Sequence, residues 1–217
     1  MIMKKIAIVL SGCGVYDGAE IHEAVLTMLA ASKLGILYQL YAPDMEQMHV
    51  INHLTGEVAD EKRNVLVESA RIARGNIKQL KDYSAAKYDA LVFPGGFGVA
   101  KNLCSFAVDG VQLTVLPEVE KAVKETYEAK KPIGAMCISP VMIAKLITGA
   151  NLTIGRDYAT AEAIQNLGST HIEADHIGVV TDHVHKIVTT PCYMLDSNIY
   201  QVATGAENMM NTLLEMM

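Results

Sequence analysis

The sequence predicts an α/β fold, a parallel sheet sandwiched between helices on both faces. Three observations carry this. Short apolar runs rich in β-branched residues alternate with amphipathic stretches. Turn residues close several of those runs, as at Ser11-Gly12, Ala42-Pro43-Asp44 and Pro94-Gly95-Gly96. Strands alternating with helices favour parallel pairing, because each crossover helix packs back onto the sheet. The 217 residues suit one domain with a large core.

Each element follows in order. Residues 5–10 (KIAIVL) read as a buried first strand. After a glycine-rich loop, residues 20–34 read as a helix with Ile21, Val25, Met28 and Leu29 on one face. Residues 36–41 form the second strand, and residues 89–93 (DALVF) another. Residues 116–130 are helical, with charges on the outer face. Residues 133–136 make a strand that runs straight into Cys137, and an apolar helical pattern from Val141 to Ile147 follows. Residues 178–190 suggest two strands around a tight turn near Asp182-His183. Residues 195–217 read as a final helix whose methionines serve packing. The segment 44–83 fits the alternation least. It holds an amphipathic helix at 64–74 and is expected to be an insertion forming a cap or an interface.

Composition narrows the function. Hydrophobic residues make up 51% and charged residues 19%, an ordinary globular balance. The net charge of −6, with no basic tract, points away from nucleic acid and from anionic membranes. Only five apolar residues follow Met-Ile-Met-Lys-Lys, too few for a signal core or a span, so a cytoplasmic location is expected. Cys13, Cys104, Cys137 and Cys192 lie far apart, without zinc-site spacing, and are expected as free thiols with no metal.

In a parallel sheet, sites form at the carboxyl ends of strands. Three loops there stand out: 11–18, 94–98 and the turn holding Cys137. A cysteine wedged between strand and helix is a nucleophile elbow. The helix would point free N–H groups at the sulfur and favour the thiolate. The successive glycines Gly95 and Gly96 can turn their N–H groups toward one point, and the N–H of Ile138 would complete an oxyanion hole. Glu20 and Glu23 share a face at the start of the first helix. Acids there ordinarily complement the helix dipole. A carboxyl turned inward instead would have a raised pKa, hydrogen-bond the sulfur and shuttle a proton. Glu23 is the first choice for this and Glu20 the second. Cys13 and Glu20 are further candidates for lining the site. His183 and His185 alternate on one strand face, but no third metal ligand accompanies them. The Gly12-Cys13-Gly14 loop misses the dinucleotide fingerprint, because its third glycine is Gly18.

These blocks, in this order, resemble the DJ-1/PfpI superfamily of the class I glutamine amidotransferase-like fold. The matching pieces are residues 5–10, the acidic start at 20–23, residues 91–98 (LVFPGGFG) and residues 133–140 (IGAMCISP). Residues 11–24, 50–56, 63–66 and 186–191 further resemble the enhancing-lycopene-biosynthesis branch, linked to isoprenoid production and described as glyoxalases. The resemblance covers almost the whole chain. It implies a flavodoxin-like sandwich with Cys137 as nucleophile and Glu23 as its acidic partner. It also implies an oxyanion hole at Gly95, Gly96 and Ile138, no cofactor, and a homodimer. The superfamily's peptidases have histidine directly after the cysteine. Here that residue is Ile138, so peptidase activity is not expected.

The expected function is a cofactor-independent glyoxalase. It would convert glyoxal, or other small 2-oxoaldehydes, to the 2-hydroxy acid through a hemithioacetal on Cys137. Repair of glycated side chains would use the same adduct. The alternative is a redox-responsive interaction protein in which Cys137 is oxidised and Cys13 serves as the resolving thiol.

Overall fold

The computed structural model describes residues 3–217. Strands β1 (Lys5–Val9), β2 (Leu37–Ala42), β3 (Ile77–Gln79), β4 (Ala90–Phe93) and β5 (Ile133–Met136) pair in parallel. The small pair β6 (Asn151–Leu152) and β7 (Thr170–His171) stands apart from the main sheet. Strand β8 (Val180–Asp182) closes one edge antiparallel to β9 (Ile187–Thr190). The seven-stranded order is β3-β2-β1-β4-β5-β9-β8. The helices are α1 (Ile21–Lys33), α2 (Val65–Ile72), α3 (Phe106–Asp109), α4 (Pro117–Glu128), α5 (Ser139–Leu146), α6 (Tyr158–Asn166) and α7 (Ile199–Met216). This is the parallel sheet between helices that the alternation of elements predicts, in the flavodoxin-like form that the family resemblance implies.

The period of two along each strand divides the core into two layers. Ala7, Val9, Leu91, Phe93, Ile133 and Ala135 face α4 and α5. Ile6, Ile8, Ala90, Val92 and Met136 face α1 and α7. Strands buried on both faces read as continuous apolar runs, which is why they are conspicuous in the sequence. Met209 and Met210 are fully buried in the second layer. Gly134 lets α7 approach β5 closely: a Cβ there would lie 2.8 Å from Leu213 Cδ1. No described helix is long and apolar enough to cross a membrane.

Two expectations need correction. Three of the four residues of the expected apolar face of α1 lie outside, Ile21, Val25 and Leu29 being 42, 44 and 51% exposed, whereas Met28 is half-buried against the second layer. The buried stripe is Glu23, Ala24, Thr27, Ala30 and Ala31. Small residues let α1 lie close against α7, and the buried carboxyl serves the site rather than the core. The segment 44–83 is also not one insertion. Helix α2 and strand β3 form an ordinary crossover that adds β3 to the sheet edge beside β2. Only residues 44–63 are irregular, held by short antiparallel bridges at Glu46–Asn64 and Ile51–Val58.

That irregular segment is fastened to the loop after β1. Asp17 Oδ2 accepts the N–H of Ile51 at 2.7 Å. Asn102, 3% exposed, uses its whole amide: Nδ2 donates to the carbonyls of Ser11 and Asp17, and Oδ1 accepts the N–H of Met48. Removing that amide strands three backbone groups in places where water reaches poorly. We therefore expect Asn102→Ala to lower unfolding stability by ~3 kcal/mol in urea titrations. A loss below ~1 kcal/mol would show that the loop does not depend on this amide.

Candidate active site

Cys137 occupies the turn between β5 and α5 with φ +60°, a strained region for a residue with a side chain. The turn is held on both sides. The N–H of Cys137 donates to Thr190 O at 3.0 Å, and Ser139 Oγ donates to Pro94 O at 2.8 Å. The loop after β4 lies against the loop after β1. Phe97 N–H donates to Val15 O, and Gly98 N–H to Gly18 O. These contacts gather all three loops singled out in the sequence at the carboxyl edge of the sheet.

Glu23 is fully buried and sits against Cys137. Its Oε2 accepts the N–H of Gly95 at 2.8 Å, and its Oε1 accepts the N–H of Tyr193 at 3.2 Å. Carboxyl and thiol meet over Gly95. A Cβ on that glycine would lie 2.6 Å from Glu23 Oε2 and 2.9 Å from Cys137 Sγ. Position 95 thus accepts no side chain while the pair keeps its place.

Burial dominates the protonation of the pair. It pushes the Glu23 carboxyl up to about 8, with the negative charge of Glu20 adding to the rise. The N–H groups of Tyr193 and Gly95 and the Cys137 contact pull the other way. Burial also raises the Cys137 thiol, and the Glu23 charge raises it further. The N–H groups of Gly96 and Ile138 oppose this. The direction expected for the thiol is therefore corrected: desolvation and the neighbouring carboxyl outweigh the N–H groups of Gly96 and Ile138 and hold the thiol above its ordinary value.

The oxyanion donors are also corrected. The N–H of Gly95 is committed to Glu23, so the groups that face the sulfur are those of Gly96 and Ile138. Glu20 caps α1, its Oε2 accepting the N–H of Glu23 at 2.6 Å. It acts on the site through its charge. Cys13 is half-buried beside the charges of Glu68 and Arg71, and burial raises its thiol. Neither Cys13 nor Glu20 lines the cavity above Cys137. That cavity, of about 350 Å³, has walls built from Val15, Phe97, Ala100, Phe106, Ile138 and Met194. Asp157, Thr160 and Tyr193 add polar groups. Among the described residues no group of three His, Cys, Asp or Glu side chains could hold a metal ion.

Sequence reasoning missed Tyr193, whose N–H holds Glu23 and whose side chain lines the cavity. It lies in a helical turn after β9, where Cys192 adopts φ +46°. Pro191 at the strand end is the one signal of this turn. Cys192 itself is fully buried, its Sγ 4.0 Å from Met136 Sδ, and packs under the site.

The DJ-1/PfpI family model matches residues 58–192. The chain belongs to the DJ-1/PfpI family. It is 47% identical to the human glutamine amidotransferase-like class 1 domain-containing protein 3, mitochondrial, over 98% of this chain and 83% of that protein. The zebrafish ES1 protein, mitochondrial, is 32% identical over 97% of this chain and 85% of its own length. Among solved structures, an isoprenoid biosynthesis protein with an amidotransferase-like domain from Ehrlichia chaffeensis superposes with a TM-score of 0.92. It shares 39% identity over 98% of this chain and 99% of its own. Glyoxalase III from Candida albicans shares the family fold, with a TM-score of 0.63 at 17% identity over 97% of each chain. The curated relatives are named as mitochondrial proteins, which overturns the cytoplasmic expectation.

Burying Glu23 has a thermodynamic signature. The unfolded carboxyl loses its proton near 4.5, whereas the folded one keeps it to about 8. Between these values the folded state binds the extra proton, so stability falls as pH rises and levels off above about 8. In Glu23→Gln that slope should vanish, although the amide leaves one of the two N–H groups without an acceptor. Chemical unfolding measured from pH 5 to 9 checks this. An equal slope in the variant would mean that Glu23 is not the buried proton carrier.

Proposed function

We propose that the chain is a cofactor-independent glyoxalase converting 2-oxoaldehydes to 2-hydroxy acids. The observation that carries this reading is the Glu23 carboxyl fully buried against the Cys137 thiol, where burial raises its pKa to about 8. A proton relay beside a nucleophile is what the isomerisation of a hemithioacetal needs.

The steps follow from the geometry. Cys137 Sγ adds to the aldehyde carbon, and the thiol proton passes through Glu23 to the carbonyl oxygen. The N–H groups of Gly96 and Ile138 face the sulfur and steady the oxygen of the adduct. Glu23, having released its own proton to solvent, then takes the hydrogen of the former aldehyde carbon as a carboxylate and delivers it to the neighbouring carbon, while the hydroxyl proton of the adduct moves to the second oxygen, giving a 2-hydroxy thioester. Water cleaves the thioester, releasing the 2-hydroxy acid and restoring the thiol. Glu23 is suited to both transfers because its two oxygens are anchored by the N–H groups of Gly95 and Tyr193. The thiol is supplied by the protein, so glutathione has no part in the cycle. Glycated side chains would enter the same route as preformed adducts.

For the redox alternative, Cys13 is absent from the walls of the cavity above Cys137, and burial raises its thiol.

Glycolate formation from glyoxal, without glutathione or added metal, tests the reading. Cys137→Ala should lower turnover at least ~10³-fold with an unchanged far-UV circular dichroism spectrum. Glu23→Gln should also abolish turnover while Cys137 remains open to alkylation by iodoacetamide. Glycolate production surviving in Cys137→Ala would sink the mechanism.

A further inference from the structure

We propose that this site selects 2-oxoaldehydes whose second carbonyl carries an aryl or branched-alkyl group, in preference to glyoxal. The proposal rests on the glyoxalase reading and names its substrate class. The cavity above Cys137 holds about 350 Å³, far more than a molecule of two carbons and two oxygens occupies. Its walls are predominantly apolar, with the rings of Phe97 and Phe106 beside Ile138 and Met194. Bound glyoxal would leave most of that surface facing water, whereas an apolar substituent would remove both surfaces from it.

The polar groups fit the same conclusion. Glu23 already accepts two backbone N–H groups. Asp157 caps α6, its Oδ1 accepting the N–H of Thr160 at 2.8 Å. Little remains to solvate a polar substituent. Among the described residues lining the cavity there is no lysine, arginine or histidine, and Asp157 adds a negative charge. A phosphate or carboxylate on the substituent would meet that charge inside the cavity, where the nearest recorded cation, Lys101, sits outside the walls over the Phe97 ring. Phe97, 49% exposed, lines the cavity with its ring and carries the Lys101 ammonium over that ring at 5.5 Å from its centroid.

The test compares kcat/KM for glyoxal, methylglyoxal, isopropylglyoxal and phenylglyoxal. Each value is divided by the rate of the same aldehyde with N-acetylcysteine, which removes intrinsic reactivity. The corrected values should climb along the series by about tenfold or more. Phe106→Ala should lower the phenylglyoxal-to-glyoxal ratio about tenfold. Acetophenone, which has the ring but no aldehyde, should slow iodoacetamide labelling of Cys137 by roughly tenfold at saturation, and acetone should not. A flat or falling series without acetophenone protection overturns the proposal and leaves the glyoxalase reading intact. Protection by acetophenone with no turnover of any aldehyde supports the apolar preference of the site and removes the glyoxalase reading.

Discussion

A fully buried carboxyl under a thiol is the constraint on which the rest of this site depends. Placing Glu23 there costs desolvation, seen in its pKa of about 8. The cost is offset only partly by the N–H groups of Gly95 and Tyr193. Each donor belongs to a different strand end, after β4 and after β9, while Glu23 comes from α1 and Cys137 from the turn after β5. Four separate chain segments must therefore be in register before the carboxyl has both partners. The parallel sheet supplies that register, because its strand ends converge on one edge. Glycine at position 95 is part of the same constraint, since any side chain there would fill the space where acid and sulfur meet.

The same arrangement explains why the dipole of α5 does not control the thiol. Helix α5 has only eight residues, and its first N–H groups compete with burial and with a neighbouring carboxyl. A thiol that keeps its proton is less nucleophilic than a thiolate.

Much of this was legible in the sequence, for physical reasons that can be named. Strands buried on both faces leave uninterrupted apolar runs, so β1, β4 and β5 stand out, and with them the loops at their ends. Cys137 was legible because a strand, a single residue and a helix leave it no other place. Glu23 was legible through its i, i+3 relation to Glu20, although which acid turned inward depended on tertiary packing. The helix face of α1 was misread because hydrophobicity alone predicts burial. Here a close helix pair required alanines inside and left Ile21, Val25 and Leu29 outside. The commitment of the Gly95 N–H was not legible either. A glycine pair announces freedom of the backbone, not which acceptor each N–H will meet.

Tyr193 shows where local sequence signals run out. Its contribution to the acid is a backbone N–H, which every residue except proline carries, so its identity gives no clue. What matters is the path of the chain after β9, where Cys192 takes a positive φ and the following turn brings residue 193 back over α1. The side chain then has a separate role. Its hydroxyl pairs with His22 Nδ1 at 2.8 Å, linking the turn to the first helix, while the ring lines the cavity. One short turn thus anchors the proton carrier through the backbone and shapes the substrate space through the side chain. The position of the acid and the wall of the cavity therefore rest on the same short turn.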